Sequence, residues 1–253
     1  MASSPIFITG TTGFVGSSLA EYYYNREIAV VGISRKSNTQ AAFKTRTSTF
    51  NSQEIAKLLK EYSPSVVIHT AGSASVAQSL TSPKSDYVNS VELFSKVLEG
   101  VRLSTQKPLV IFLSSAAVYG NPQKLPVAEK ALLKPLSPYG KHKILCENLA
   151  LEYIRKYGIP TLAVRMFSIF GPKQKRLLIW ELYEQFTKKP TVTIEGTGKE
   201  TRDYLYIDNL ADALLTVIRS YNSGCSIPSV LNIASGREVS VLAVANEIRE
   251  LLG

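Results

Sequence analysis

Short apolar segments alternate with longer amphipathic segments through the first 165 residues of the chain. The segments of strand length are 6–8, 28–33, 65–69, 109–113 and 161–164. Apolar residues with helical spacing fill the gaps, over 14–25, 53–62, 84–102 and 138–157. Strands that alternate with helices in this way predict an α/β fold built on a doubly wound parallel sheet.

The regular alternation weakens beyond residue 171. Proline and glycine interrupt 173–201, whereas 210–220 and 239–252 look helical and 230–233 looks like a strand. We therefore predict a sheet domain over 1–172, to which 203–235 return. A smaller C-terminal lobe is predicted over 173–202 and 236–253.

The composition argues against several classes of protein. The chain has 253 residues, of which 45% are hydrophobic, and its apolar runs are far shorter than a membrane span. Its first residues lead into a strand without a signal segment, so we expect a cytoplasmic protein with no membrane partner. The net charge of +9 is scattered, apart from Lys173, Lys175 and Arg176, and does not predict a nucleic-acid partner. Cys146 and Cys225 lack metal-ligand spacing, so we expect structural thiols and no metal.

A glycine-rich turn joins the first predicted strand to the first predicted helix. It contains Gly10, Gly13 and Gly16. Glycines let the backbone approach a pyrophosphate, and the helix N-terminus presents free N–H groups to it. The turn therefore predicts a Rossmann-type dinucleotide-binding domain.

The end of the second strand bears on the choice of cofactor. NAD usually requires a carboxylate there to bind the ribose, whereas an arginine accommodates the 2′-phosphate of NADP. The sequence has Ser34, Arg35 and Lys36 at this point and no acidic residue over 28–53. NADP is therefore favoured over NAD, although Arg35 and Lys36 would also suit a solvated loop.

Tyr139 and Lys143 lie four residues apart in a predicted helix and share one of its faces. A lysine ammonium stabilises a phenolate, so Tyr139 can exchange a proton with an alcohol while hydride moves to or from a nicotinamide. Ser114 and Ser115 follow the fourth strand, at the carboxyl end of the sheet where ligands bind. Ser115 can hydrogen-bond the reacting oxygen, and a capped turn is the alternative.

Together these motifs resemble the extended short-chain dehydrogenase/reductases, specifically the NAD(P)-dependent nucleotide-sugar epimerase/dehydratase family. The matching segments are the glycine loop over 9–16, the HxAG-like segment over 69–72, the asparagine Asn89, the SSxxVYG-like turn over 114–120, the YxxxK pair, the segment 165–172, and Arg202-Asp203-Tyr204 followed by Asp208.

The resemblance assigns roles to residues. The implied catalytic residues are Ser115, Tyr139 and Lys143. The implied cofactor site comprises Gly10, Thr11, Thr12, Gly13, Phe14, Val15, Gly16, Ser34, Arg35, Lys36, His69, Ala71, Gly72, Asn89, Leu113, Tyr139, Lys143 and Phe167. The implied substrate contacts are Ser73, Ser115, Ser168 and Arg202. The family also implies a homodimer through 84–102 and 138–157.

Both histidines are interpreted without a metal. His69 is expected to line the cofactor or to pack at the strand end, and His142 is expected on the helix surface.

Several positions depart from the family pattern. Ala116 and Ala117 stand where dehydratases and decarboxylases carry an acidic residue, so the turn favours 4-epimerisation or 4-keto reduction. Ser168 replaces an asparagine near the substrate phosphates, and no adenine-side aspartate occurs over 48–51. The chain ends at Gly253 within a helix-like segment, which indicates either a minimal lobe or a shortened chain.

Three functions follow from these observations. The first is a nucleotide-sugar 4-epimerase that works through a transient 4-keto sugar and keeps its NADP or NAD. The second is a 4-keto-sugar reductase that consumes NADPH. The third is a dinucleotide sensor or scaffold without activity, which the presence of both Tyr139 and Lys143 disfavours.

Overall fold

The computed structural model describes residues 4–189, 191–194 and 196–253. Its strands are β1 Ile6–Thr9, β2 Val30–Ser34, β3 Lys44–Thr47, β4 Val66–His69, β5 Leu109–Ser115, β6 Thr161–Met166, β7 Ser168–Phe170, β8 Thr201–Tyr206, β9 Val230–Ile233 and β10 Glu238–Ser240. Seven of them form one sheet in the order β3-β2-β1-β4-β5-β6-β9, with every pair parallel. This order confirms the predicted doubly wound parallel sheet.

Helices connect these strands. They are α1 Phe14–Tyr24, α2 Ser52–Tyr62, α3 Val76–Thr81, α4 Pro83–Tyr87, α5 Leu93–Ser104, α6 Pro138–Tyr157, α7 Leu178–Lys188, α8 Ile207–Asn222 and α9 Val241–Leu252. A π-helical turn covers Val88–Glu92 and a 3₁₀ turn covers Ala116–Val118. Among the described helices, none has the length and apolar character needed to cross a bilayer.

The hydrophobic core lies on both faces of the large sheet. Alternate residues of a strand point to opposite faces, so Ile6 and Ile8 pack on the side of α1 and α8, whereas Phe7 packs on the side of α2 and α5. Cys146 lies in the second of these clusters, and burial raises the pKa of its thiol to about 12. Cys225 is exposed, so the predicted structural role fits Cys146 alone.

Helix α6 begins and ends where local chemistry dictates. The Ser137 hydroxyl accepts a hydrogen bond from Gly140 N at 3.2 Å, and Pro138 occupies the first turn, where a missing N–H has no cost. Gly158 ends the helix in the left-handed conformation, with φ 62°. These caps fix which residues fall in the first turn, and Tyr139 is one of them.

The C-terminal part of the chain contains a second, smaller sheet. Its order is β10-β8-β7, in which β10 and β8 are antiparallel and β8 and β7 are parallel. Helices α7 and α9 pack together, and Val241 N donates to Glu200 O at 2.9 Å. These contacts join the two segments assigned to the lobe, whose boundaries remain a prediction.

The structure differs from the sequence expectations in several elements. The helix expected over 84–102 is divided into α4, the π-helical turn and α5. Strands β3, β7, β8 and β10 and helices α3 and α7 were not expected. Strand β3 reads Lys-Thr-Arg-Thr and has no apolar residue, so it carries none of the pattern that indicates a buried strand.

Candidate active site

The predicted site residues of the large sheet gather at one edge. In a parallel sheet all carboxyl ends lie together, so the segments that follow β1, β2, β4, β5 and β6 share that edge. The chain order reverses between β1 and β4, which places a crevice above these two strands.

The glycine turn packs tightly under this crevice. A Cβ added to Gly10, which has φ 78°, would lie 2.7 Å from Ala71 N, and one added to Gly16 would lie 2.4 Å from Gly10 O. No larger residue fits at either position without a shift of the backbone. Gly13 precedes α1 without a side-chain cap, and the first turn of α1 carries no acidic residue. The open N–H groups therefore fit a pyrophosphate.

The end of β2, the strand next to β1, also lies beside this crevice. Ser34 is buried, and its hydroxyl donates to Lys36 O at 2.5 Å. Arg35 is exposed, and its Nη1 donates to Asn89 Oδ1 at 3.3 Å. A Cβ on Gly72 would lie 2.9 Å from Asn89 O, so the segment after β4 also meets Asn89. The structure thus brings these predicted cofactor residues together.

A small polar cavity of about 160 Å³ lies among these segments. Predicted residues that line it are Arg35, Gly72, Ser73 and Asn89. Its lining also includes Gln78, Ser82, Ser85, Asp86 and Arg176, which sequence reasoning did not assign to the site.

Lys143 lies beside Tyr139. Its Nζ is 5.5 Å from the centre of the Tyr139 ring and donates to Leu113 O at 2.8 Å. Lys143 is only 9% exposed, so its ammonium group is largely shielded from solvent beside the Tyr139 ring. Leu113 therefore contributes its backbone carbonyl oxygen to the site as an acceptor for Lys143, because its side chain is buried in the core.

The turn that carries Ser115 touches the first turn of α6. The Ser115 hydroxyl accepts from Ala117 N at 3.2 Å, which is the capped turn named as the alternative, and the residue remains partly exposed. A Cβ on Gly140 would lie 2.7 Å from Ala117 O. This close approach places the residue next to Tyr139 against the Ser115 turn. Gly140 was not predicted as a site residue, and its position next to Tyr139 is the one signal of its role in the sequence.

His69 lies below the crevice, in the core. It is 1% exposed, its ring packs against Phe94 and Phe112, and its Nδ1 is 2.9 Å from Thr9 Oγ1. Of the two roles expected for His69, its ring takes the packing role. Burial, with a smaller contribution from the Lys143 charge, lowers its pKa to about 3.

This histidine should make stability depend on pH. The unfolded chain binds a proton at His69 below about pH 6.5, whereas the folded chain does so only near pH 3, so acid favours unfolding. We expect His69 to lower the free energy of unfolding by about 2 kcal/mol between pH 7 and pH 5. Urea unfolding of wild type and His69→Gln across this range measures the difference. Equal pH slopes would contradict the assignment.

The remaining predicted residues lie in or near the lobe. Phe167 N donates to Ile233 O at 3.4 Å, Ser168 begins β7 opposite Tyr204, and Arg202 is exposed on β8. Within the described chain, no hydrogen bond joins Phe167, Ser168 or Arg202 to the Tyr139 region, so their roles remain predictions. Asp203 instead accepts from Ser235 N and Gly236 N, both at 2.7 Å.

A buried polar network lies between α6 and the ends of β5 and β6, next to the candidate site. Arg165 and Glu147 form two hydrogen bonds of 3.0 and 2.7 Å, and Ser114 donates to Glu147 at 2.6 Å. Arg165 also donates to the hydroxyl of Tyr119, which donates to Asn232 at 2.7 Å. Glu147 lies one helical turn after Lys143, so the network fixes α6 against the end of β5. Ser114, Tyr119 and Arg165 lie within segments that match the family pattern, whereas the parts played by Glu147 and Asn232 were not predicted from the sequence.

His142 is not on the helix surface as expected. Its Nδ1 is 2.5 Å from Asp86 Oδ2, and its side chain is 13% exposed. The prediction of a surface position was wrong because α4 packs over this face of α6.

Comparison with known proteins adds three findings. The model of the NAD dependent epimerase/dehydratase family matches residues 6–234. A putative UDP-glucose 4-epimerase of Methanocaldococcus jannaschii is 28% identical over 98% of this chain and 82% of the relative. A UDP-N-acetylglucosamine 4-epimerase of Methanobrevibacter ruminantium superposes with a TM-score of 0.88 at 25% identity, covering 100% of this chain and 83% of that structure.

A further solved structure carries a cofactor. It is a UDP-glucose 4-epimerase of Brucella ovis in complex with NAD, with a TM-score of 0.86 at 25% identity over 96% of this chain and 81% of that structure.

Proposed function

Because the chain belongs to the NAD dependent epimerase/dehydratase family, we propose that it catalyses the 4-epimerisation of a nucleotide sugar. The family expected from the motifs is confirmed, and so is an NAD(P)-dependent sugar epimerase of the extended short-chain dehydrogenase/reductase type. The observation that carries the proposal is the placement of Lys143 beside Tyr139, with Gly140 packed on the Ser115 turn.

The proposed chemistry uses three side chains together with a bound nicotinamide. A bound nicotinamide supplies reversible hydride transfer. Tyr139 accepts the proton of the sugar hydroxyl as the carbonyl forms and returns it when the hydroxyl is restored. Lys143 stabilises the phenolate by its positive charge, and Ser115 hydrogen-bonds the reacting oxygen. Ala116 and Ala117 offer no acid or base for elimination of water, which supports epimerisation as the outcome.

A cofactor balance distinguishes the epimerase from the reductase. Purified protein is incubated with UDP-sugars, and both sugar epimers and nicotinamide absorbance are followed. We expect interconversion of 4-epimers with no net cofactor oxidation. Stoichiometric oxidation of NADPH with a 4-keto sugar would contradict the proposal. The epimerase is favoured because the relatives and structures compared above are 4-epimerases.

We also propose a preference for NADP over NAD. Arg35 and Lys36 end β2, and no acidic residue occurs between 28 and 53. A charge-assisted hydrogen bond contributes about 1.5–3 kcal/mol, so Arg35→Ala should weaken NADPH binding by about 10- to 100-fold. NADH binding should change little, and fluorescence titration with both dinucleotides measures this. Equal losses for both would contradict the preference.

A homodimer is proposed through the face formed by α5, the π-helical turn and α6. Val88, Leu145 and Tyr157 expose 39%, 44% and 42% of their surface there. Light scattering of wild type and Leu145→Glu tests the dimer, which the added charge should dissociate. A cytoplasmic location likewise stays a prediction.

A further inference from the structure

A largely buried side-chain hydrogen bond lies at the junction of α4 and α6. Asp86 is 4% exposed, and its Oδ2 meets His142 Nδ1 at 2.5 Å. The ring of Tyr87 covers the histidine edge-on at 5.4 Å between centres. The pair is therefore largely shielded from solvent, where a hydrogen bond is stronger than at the surface.

The pair connects two walls of the candidate site. His142 lies three residues after Tyr139, on the same side of α6, and directly precedes Lys143. Asp86 lies three residues before Asn89 and lines the cavity shared with Arg35. A contact between Asp86 and His142 thus links the turn that carries the proposed proton-transfer group to the segment on the cofactor side.

The segment that carries Asp86 has little local stability of its own. Helix α4 has five residues, and the π-helical turn follows it directly. Isolated helices of this length do not persist, so tertiary contacts must hold the segment in place. Within the described chain, His142 is the only polar partner of the Asp86 side chain, whose Oδ1 has none.

One other described hydrogen bond joins this region to the start of α6. Tyr139 N donates to Ser79 Oγ at 3.1 Å, and that hydroxyl donates to Val76 O. This contact holds the backbone of Tyr139 but not the rotation of α6 one turn later. The hydrogen bond between Asp86 and His142 adds a side-chain contact to α4 at that next turn.

We infer that the Asp86–His142 pair positions Tyr139 against the cofactor side of the site, an inference that rests on the proposed function. Neither residue transfers a proton to substrate. Both act by holding α4 and the first turns of α6 at a fixed distance from each other. Small misplacements of a reacting group cost about 100-fold in rate, so loss of the pair should lower kcat more than it raises KM.

The test compares variants that remove the pair with one that keeps its hydrogen bond. His142→Phe preserves ring volume without a nitrogen, Asp86→Leu removes the carboxylate, and Asp86→Asn retains an acceptor for His142. We expect the first two to lower kcat by about 10- to 100-fold with KM within about threefold, and Asp86→Asn to stay near wild type. The double variant Asp86→Leu/His142→Phe should be no slower than either single variant. If His142→Phe does not fold, His142→Asn takes its place.

Two controls make the outcome specific. Lys156→Met breaks an exposed pair with Glu152 on the same helix and should leave kcat unchanged. In a Tyr139→Phe background, His142→Phe should cause no further loss of residual kcat. Wild-type kcat in both pair variants, or multiplicative losses with Tyr139→Phe, would overturn the inference. An inactive wild type with every nucleotide sugar would instead refute the proposed function, so the two failures are distinguishable.

Discussion

Replacement of Tyr139 by Phe should lower kcat by about 10²- to 10⁴-fold while the protein stays folded. The substitution removes only the hydroxyl that would exchange the proton with the substrate. In the described chain this hydroxyl has no hydrogen-bond partner, whereas the Tyr139 backbone is held by Ser79. The ring remains beside Lys143, so packing is preserved. Epimer interconversion measured by NMR gives the loss in rate.

A second tyrosine on the surface provides the matched control. Tyr24 ends α1 with 44% exposure, and Tyr24→Phe should keep full activity. Tyr139 and Lys143 should also act as one unit, so the combined variant Tyr139→Phe/Lys143→Met should be about as slow as Tyr139→Phe alone. Retained turnover in Tyr139→Phe would contradict the assigned role.

The sequence predicts the large sheet well because its central strands are buried on both faces. Strands of this kind appear as short apolar runs, as in 109–113, and such runs are visible without knowledge of their neighbours. The edge strand β3 has no such run, since its polar residues depend on pairing with β2 rather than on burial. Helix α3 has six residues, too few for periodicity to reveal.

The site residues also fall into two groups: some belong to local sequence motifs, and others depend on tertiary contacts. Gly10, Tyr139 and Lys143 belong to local motifs, in which spacing along the chain reflects the chemistry directly. Gly140 packs against Ala117 O, and that contact depends on how α6 meets the end of β5. The pairing of His142 with Asp86 spans 56 residues, so no local pattern could place the histidine under α4.

The polar network behind the site is the clearest example of information that lies in tertiary packing. Glu147, Arg165 and Asn232 come from α6, β6 and β9, and each would be expected at the surface by residue type. Glu147 and Arg165 are buried and Asn232 is partly buried, because their polar atoms find partners in one another, in Tyr119 or in backbone carbonyls. Burial of such groups is tolerated only when the set is complete.

Removal of one partner from this network should therefore be costly. Arg165 and Glu147 have side chains that are only 4% and 5% exposed, so Glu147→Ala leaves a buried guanidinium without its carboxylate. We expect the free energy of unfolding to fall by about 3–5 kcal/mol, the range for a broken buried ion pair. Urea unfolding at pH 7 measures the change.

A paired substitution separates the loss of the interaction from the exposure of an unmatched charge. Glu147→Leu/Arg165→Met removes both charges and should be more stable than Glu147→Ala, because no buried ion is left alone. Recovery should be partial, since Arg165 also donates to Tyr119 and Glu129 O. Glu152→Ala, which breaks the exposed pair with Lys156 on the same helix, should leave stability nearly unchanged. If Glu147→Ala were as mild as Glu152→Ala, the network would not be what holds α6 against β5.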